Sequence, residues 1–192
     1  MMLANLLKKT FNLPRWAHAA LAALSILWFQ WINVKITASY AASQHPVDYF
    51  TGQTSFNAQT IKGYYAAMTD TQTLDVYVTT QIIDTGVIIG FACLGLFACT
   101  LIARLSRAGS FGRKAGLLGG MSYIFGAVSD ATENGFSFIM LSNPAGFADW
   151  LAIPYSLFAS IKFGFVTLAM ALAIISLILA TLGRAMKKPV FG

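Results

Sequence analysis

Between Gly86 and Ala103 the chain runs 18 residues without a charged side chain, and this run constrains the fold more than any motif. A backbone taken into hydrocarbon must satisfy its own N–H and C=O groups, and a helix of this length crosses most of a bilayer core. Arg104, Arg107, Arg113 and Lys114 follow it as a basic cluster. Two further clusters, Lys8, Lys9 and Arg15, then Arg184, Lys187 and Lys188, also border apolar runs, so ten of the thirteen Lys and Arg lie in three groups. This is the positive-inside pattern of a polytopic membrane protein. With 57% hydrophobic and 10% charged residues, the chain departs from ordinary soluble domains in the same direction. A net charge of +6 by itself would suit nucleic acid, but its placement at the ends of apolar runs argues for membrane lipids and against nucleic acid.

Four spans follow, at about 16–38, 78–103, 116–141 and 151–182, in an all-α integral membrane four-helix bundle that forms a single membrane domain over 1–192. The basic residues before Trp16 raise the possibility of a secretory signal, with Ser39-Tyr40-Ala41 as a small-residue cleavage site. Trp28, Gln30, Trp31 and Asn33 are poor filler for such a signal, and a retained first span with a cytoplasmic amino end is the expectation. The protein is then multi-pass in the cell inner (plasma) membrane, with both termini cytoplasmic. His18 reads as an interfacial histidine without a role, and Lys35 as a snorkelling residue. Cys93 and Cys99 match no metal or redox spacing and read as apolar filler.

Residues 39–77 form a polar outer segment rich in tyrosine, too long for a turn. Asn57 is placed to cap a short helix, and Asp70 or Thr71 to cap the helix that enters the second span. Gly86-x3-Gly90 and Gly116-x3-Gly120 offer small-residue packing seams. The loop GSFGRKAG lacks the spacing of a nucleotide-binding loop. Ser142-Asn143-Pro144-Ala145-Gly146 is a turn signal that makes spans three and four antiparallel neighbours.

The chemistry lies in charges that the spans should not contain. Asp130, Glu133 and Asn134 are spaced three and four apart inside the third span, which puts them on one helical face continued by Ser137. Asp84 sits about two turns into the second span on a face with Tyr77, Gln81 and Thr85, and Lys162 lies at similar depth in the fourth. Each ionisable group costs roughly 2.5–3.5 kcal/mol at mid-membrane, so the four together would cost on the order of 10–14 kcal/mol if they faced lipid. They are expected to converge on a shared interior, helped by Gln30, Asn33, Gln81, Asn134 and Ser137. Three carboxylates against one ammonium leave excess negative charge, which favours holding at least one carboxyl in its neutral form and so a proton donor beside an acceptor. The catalytic candidates are Asp130, Glu133 and Asp84; the ligand-binding candidates are Asn134, Lys162, Gln81 and Ser137. No metal and no cofactor is expected. The competing structural reading is a polar plug in which Lys162 bridges Asp130 or Glu133 and fixes helix register.

Thr51-Gly52, Gly63-Tyr64-Tyr65, Asp84 and Asp130-x-x-Glu133-Asn134 together resemble the pattern of a group of small bacterial four-span membrane proteins, over roughly residues 50–165. More remotely, the plan is similar to the membrane family that includes sterol isomerase and the sigma-2 receptor. That resemblance implies intramembrane acidic residues in a pocket for hydrophobic ligands, and it assigns no catalytic residue here.

Three functions compete. In the first, the chamber binds a hydrophobic small molecule of lipid, sterol-like or isoprenoid type and modifies it, where a chemical step exists, by acid–base chemistry. In the second, the chain is a non-catalytic accessory or assembly subunit with a protein partner or a second copy of itself. Proton- or ion-coupled transport is third, because four spans without an internal repeat or paired broken spans are few for a transporter.

Overall fold

Helix makes up 84% of the computed structural model, which describes residues 2–185; no strand occurs among the described residues. The elements are α1 (Met2–Phe11), α2 (Arg15–Ala42), α3 (Tyr49–Gln53), α4 (Ala58–Asp70), α5 (Leu74–Cys93), α6 (Thr100–Leu105), α7 (Phe111–Leu141) and α8 (Ala152–Ala185). A π-helical stretch, Leu94–Cys99, joins α5 to α6, and a 3-10 turn, Asp149–Leu151, leads into α8. Three segments are long and apolar enough to cross a membrane: Arg15–Ala42, Leu74–Leu105 and Asp149–Ala185. They coincide with the expected first, second and fourth spans. The expected third span is also one continuous helix, α7, but its Arg113, Lys114, Asp130 and Glu133 dilute its hydropathy and it is not among the three. Lys187 and Lys188 lie outside the described residues.

The chain divides into two compact units, each assembled from several helix segments. The first comprises Met1–Phe29, Gly90–Gly126 and Gly164–Gly192; the second comprises Gln30–Ile89 and Ala127–Phe163.

In the first unit, close backbone approach replaces large side chains. A methyl group on Gly95 would lie 2.5 Å from the carbonyl oxygen of Gly120, and one on Gly120 would lie 2.7 Å from that of Gly95, so neither position has room for a Cβ. Gly116 is equally tight against Ala103 and Ser176, which bears out the expected seam at 116–120. The π-helical stretch that contains Gly95 is also where His18 bonds. This histidine is fully buried, with Nε2 at 3.0 Å from both the Phe97 carbonyl oxygen and Thr100 Oγ1. Arg104 Nη1 donates to His18 Nδ1 at 2.9 Å and to the Leu13 carbonyl at 2.9 Å. A guanidinium only donates, so Nδ1 is the acceptor and the imidazole proton sits on Nε2. The expectation of an interfacial histidine without a role is therefore corrected: His18 fastens α2 to the π-helical stretch.

In the second unit, the segment between α2 and α5 carries much of the core. Asn57 caps α4 as expected, its side chain accepting from the Thr60 N–H at 3.0 Å. Ala58, Ile61, Tyr65 and Met68, spaced three and four apart, form its buried face and join Tyr77, Met140, Phe147, Leu151, Ala152 and Tyr155 in one apolar cluster. Neither Asp70 nor Thr71 caps α5. Asp70 is the last residue of α4 and Thr71 its C-cap, because the chain turns at Gln72, which takes a left-handed conformation (φ 58°). Gln44 and Phe56 adopt the same region, at φ 52° and 54°. Such turns cost bulky residues about 1–2 kcal/mol each. At Phe56 the cost is offset by its N–H, which donates to Ser156 Oγ at 3.0 Å.

Candidate functional site

The second unit gathers four buried charges at one point. Asp130 and Glu133 leave α7 one turn apart, Asp84 comes from α5 and Lys162 from α8, and all four are at least 97% buried. Lys162 Nζ lies 2.8 Å from Asp130 Oδ1, 2.8 Å from Glu133 Oε2 and 2.9 Å from Gln53 Oε1, so each of its three N–H donors has an acceptor. Its charge also faces the rings of Phe163, at 5.0 Å, and Tyr49, at 5.5 Å. One oxygen from each of Asp84, Asp130 and Glu133 lies within 4.8 Å of the other two. Such an oxygen set is of the kind that holds hard cations, but here the lysine ammonium supplies the positive charge to two of its members.

Two residues that sequence reasoning missed complete the shell. α3 is only five residues long, and its start is fixed by Asp48, whose side chain accepts from the Thr51 N–H at 3.0 Å and the Thr51 hydroxyl at 2.6 Å. Tyr49 and Gln53, four apart on this helix, share a face. Tyr49 donates its hydroxyl to Asp84 Oδ1 at 3.1 Å, and Gln53 Nε2 donates to both oxygens of Glu133 at 3.3 Å. The signal that could have found them is an Asp-x-x-Thr cap followed by polar residues at a helical interval. Burial, and then the nearby Asp84, Glu133 and Asp130, push the Tyr49 hydroxyl well above the ordinary tyrosine range, which keeps it a donor to Asp84.

Of the other ligand-binding candidates, Asn134 bonds the cluster directly, while Gln81 and Ser137 meet the neighbouring tyrosines. Asn134 Nδ2 donates to Asp84 Oδ2 at 2.8 Å, while its Oδ1 has no hydrogen-bond partner. Gln81 Nε2 donates to the Tyr77 hydroxyl at 2.8 Å, and its Oε1 is likewise without a partner. Ser137 is fully buried, and its Oγ neighbours the Tyr65 hydroxyl without reaching hydrogen-bond geometry. Buried oxygens left unpaired typically cost about 1–3 kcal/mol each, so they mark capacity the fold itself does not use. Two expected helpers are absent: Gln30 and Asn33 are exposed on α2, since polar residues in a span do not by themselves say which face is buried.

Beside the charged cluster lies an aromatic nest. The His45 ring is 5.1 Å from Tyr40, 5.0 Å from Tyr64 and 5.3 Å from Tyr77. Gly52 makes room for it, because a methyl group there would stand 2.8 Å from His45 Cε1. Burial pulls the His45 imidazole below its ordinary value, opposed by its contact with the Val47 carbonyl and by Asp48. The shift favours the uncharged ring.

Compared with known proteins, the chain matches no family model, no curated protein and no solved structure.

Proposed function

We propose that the cluster of Asp84, Asp130, Glu133 and Lys162 is an acid–base site that binds a hydrophobic small molecule and modifies it by proton exchange. The observation that carries this reading is the conjunction of a buried ammonium held between two carboxylates with the partnerless Oδ1 of Asn134, whose amide bonds Asp84 in the same cluster. Asp130 and Glu133 exchange protons with the ligand, Lys162 and Asp84 set their charge, and Asn134, Gln81 and Ser137 orient it. The ligand reaches the site from a membrane in which α7 serves as a fourth span. Its exposed Leu118, Phe125, Val128, Phe138 and Ile139 support that role. The inner membrane, with both termini cytoplasmic, is the proposed location, on the strength of the basic clusters. The resemblance in plan to the sterol isomerase and sigma-2 receptor family favours a sterol-like or isoprenoid ligand.

The test is to purify the full chain in mild detergent, identify co-extracted lipids by mass spectrometry, and compare cells carrying wild type and Glu133→Gln. A bound hydrophobic species, and a cellular lipid profile that shifts with Glu133→Gln, are expected. Lipid-free protein together with an unchanged profile would overturn the reading. A second reading rests on the complete pairing of Lys162: a register-fixing plug in a non-catalytic subunit. It requires a stoichiometric protein partner, and recovery of the free monomer alone would exclude it.

A further inference from the structure

All seven acidic residues (Asp48, Asp70, Asp75, Asp84, Asp130, Glu133 and Asp149) belong to the second unit, and the first unit contains no Asp or Glu anywhere in its sequence. Of the thirteen basic residues, only Lys35, Lys62 and Lys162 lie outside the first unit. Within the unit, its positive charge thus has no acidic side chain to meet.

Part of that charge is organised around a cavity. A space of about 1040 Å³ within the first unit is lined by Arg15, Arg104, Arg113 and Arg184, by leucines, Phe11 and Met121, and by no acidic group. Its volume is at the upper end of the range for small-molecule sites. Two of the guanidinium groups are held in place. Arg104 spends Nη1 on Leu13 and His18, which leaves Nη2 and Nε for another acceptor, and Arg113 stacks on the Phe11 ring at 4.7 Å. Arginine is the residue whose planar fork matches the oxygens of a phosphate.

Helix direction adds to the same field. Arg15 opens α2 and Arg113 lies in the first turn of α7, and neither helix has an acidic residue in that turn. Cations at a helix N-terminus oppose the helix dipole, whereas an anion there is favoured. An anion in the cavity would meet the guanidinium groups and two helix N-termini together. The leucine, phenylalanine and methionine walls call for an apolar remainder. In a chain with three helices of membrane-spanning length, the molecule that combines the two is a phospholipid.

We propose that the arginine-lined cavity of the first unit is a binding site for one anionic phospholipid, its phosphate on the guanidinium groups and its acyl chains along the apolar walls. This site is separate in residues and chemistry from the acid–base cluster, and neither proposal depends on the other.

Delipidated full-length protein, offered an equimolar mixture of phosphatidylglycerol and phosphatidylcholine and read by native mass spectrometry, tests it. One phosphatidylglycerol per chain should be retained, with a preference of roughly tenfold or more over phosphatidylcholine, since both lipids bring similar acyl chains and only the anionic one complements the arginines. Arg113→Gln with Arg184→Gln should reduce that preference by roughly tenfold, as expected when charge-assisted bonds are lost. Arg107→Gln with Lys114→Gln removes equal charge outside the cavity lining and should change it by less than about twofold if screening confines distant charges. Equal losses in the two pairs would overturn the proposal in favour of diffuse surface charge. Absence of any preference in the wild type would overturn it without recourse to variants, so a pair that fails to fold does not remove the test. Displacement of the lipid by inorganic phosphate at comparable concentration would overturn it as well, since the site would then belong to the free anion.

Discussion

The two units handle charge in opposite ways. The second holds every acidic side chain in the chain and offsets its buried charge internally, by the Lys162 ammonium and by hydrogen bonds from Tyr49, Gln53 and Asn134. The first holds most of the cations, has no acidic side chain, and packs by backbone contact between glycines. The contrast teaches that a basic net charge belongs to a region before it belongs to a protein. A reading from the total of +6 alone would have missed both an acidic interior and an unmatched basic cavity.

The largest test of the contrast is Lys162→Met. It leaves Asp130 and Glu133 buried without their cation, and removal of one partner from a buried pair costs about 3–5 kcal/mol. Denaturant midpoints should fall accordingly, and a double variant with Glu133→Gln should recover part of the loss because the two sites are coupled. Full additivity would show that the cluster is not the unit's electrostatic keystone. Gly95→Ala asks the same of the first unit, where the contact is steric. With the Gly120 carbonyl 2.5 Å from the new methyl, overpacking should cost about 1–3 kcal/mol, read by thermal unfolding and insensitive to pH and salt.

A smaller effect is expected from acid. His45 is buried below its ordinary value of 6.5, so the unfolded chain binds a proton more readily than the folded one. Its contribution to stability is complete above about 6.5 and is lost as pH falls from there through the lowered folded value. Melting temperature followed downward from neutral pH should decline in wild type and decline less in His45→Gln; identical slopes would remove His45 as the cause. Smallest of all is Lys62→Ala. This pair reaches 2.6 Å from Asp149, but the aspartate side chain is 66% exposed. Solvent screening holds such bridges to about 0–1 kcal/mol, and a larger loss on chemical denaturation would mean that the cation–ring contact with Phe147, at 4.9 Å, matters more than the charge.

Sequence reading reached the four buried charges because an ionisable group in an apolar helix is conspicuous and helical spacing says which of them share a face. Depth alone, at 1.5 Å per residue, puts Lys162 level with Asp130, and the plug reading has it bridge Asp130 or Glu133; it bonds both. Tyr49 and Gln53 were not reached. Their partners lie 35, 80 and 109 residues away along the chain, and a five-residue helix leaves no periodicity to follow. Gln30 and Asn33 failed in the opposite direction, as polar residues credited with a buried face that the fold leaves exposed. His18 was not reached because its partners, the Phe97 carbonyl and the Thr100 hydroxyl, lie 79 and 82 residues away in and beside the π-helical stretch at 94–99.

Gln53 has one further consequence. Its amide occupies both oxygens of Glu133 and one donor of Lys162, which makes it an internal competitor tethered by short loops. A tethered group of this kind acts at an effective concentration on the order of millimolar. A ligand of the proposed kind that takes the Glu133 carboxylate must displace it, so on that proposal the affinity is set from α3 as much as from the helices that supply the charge.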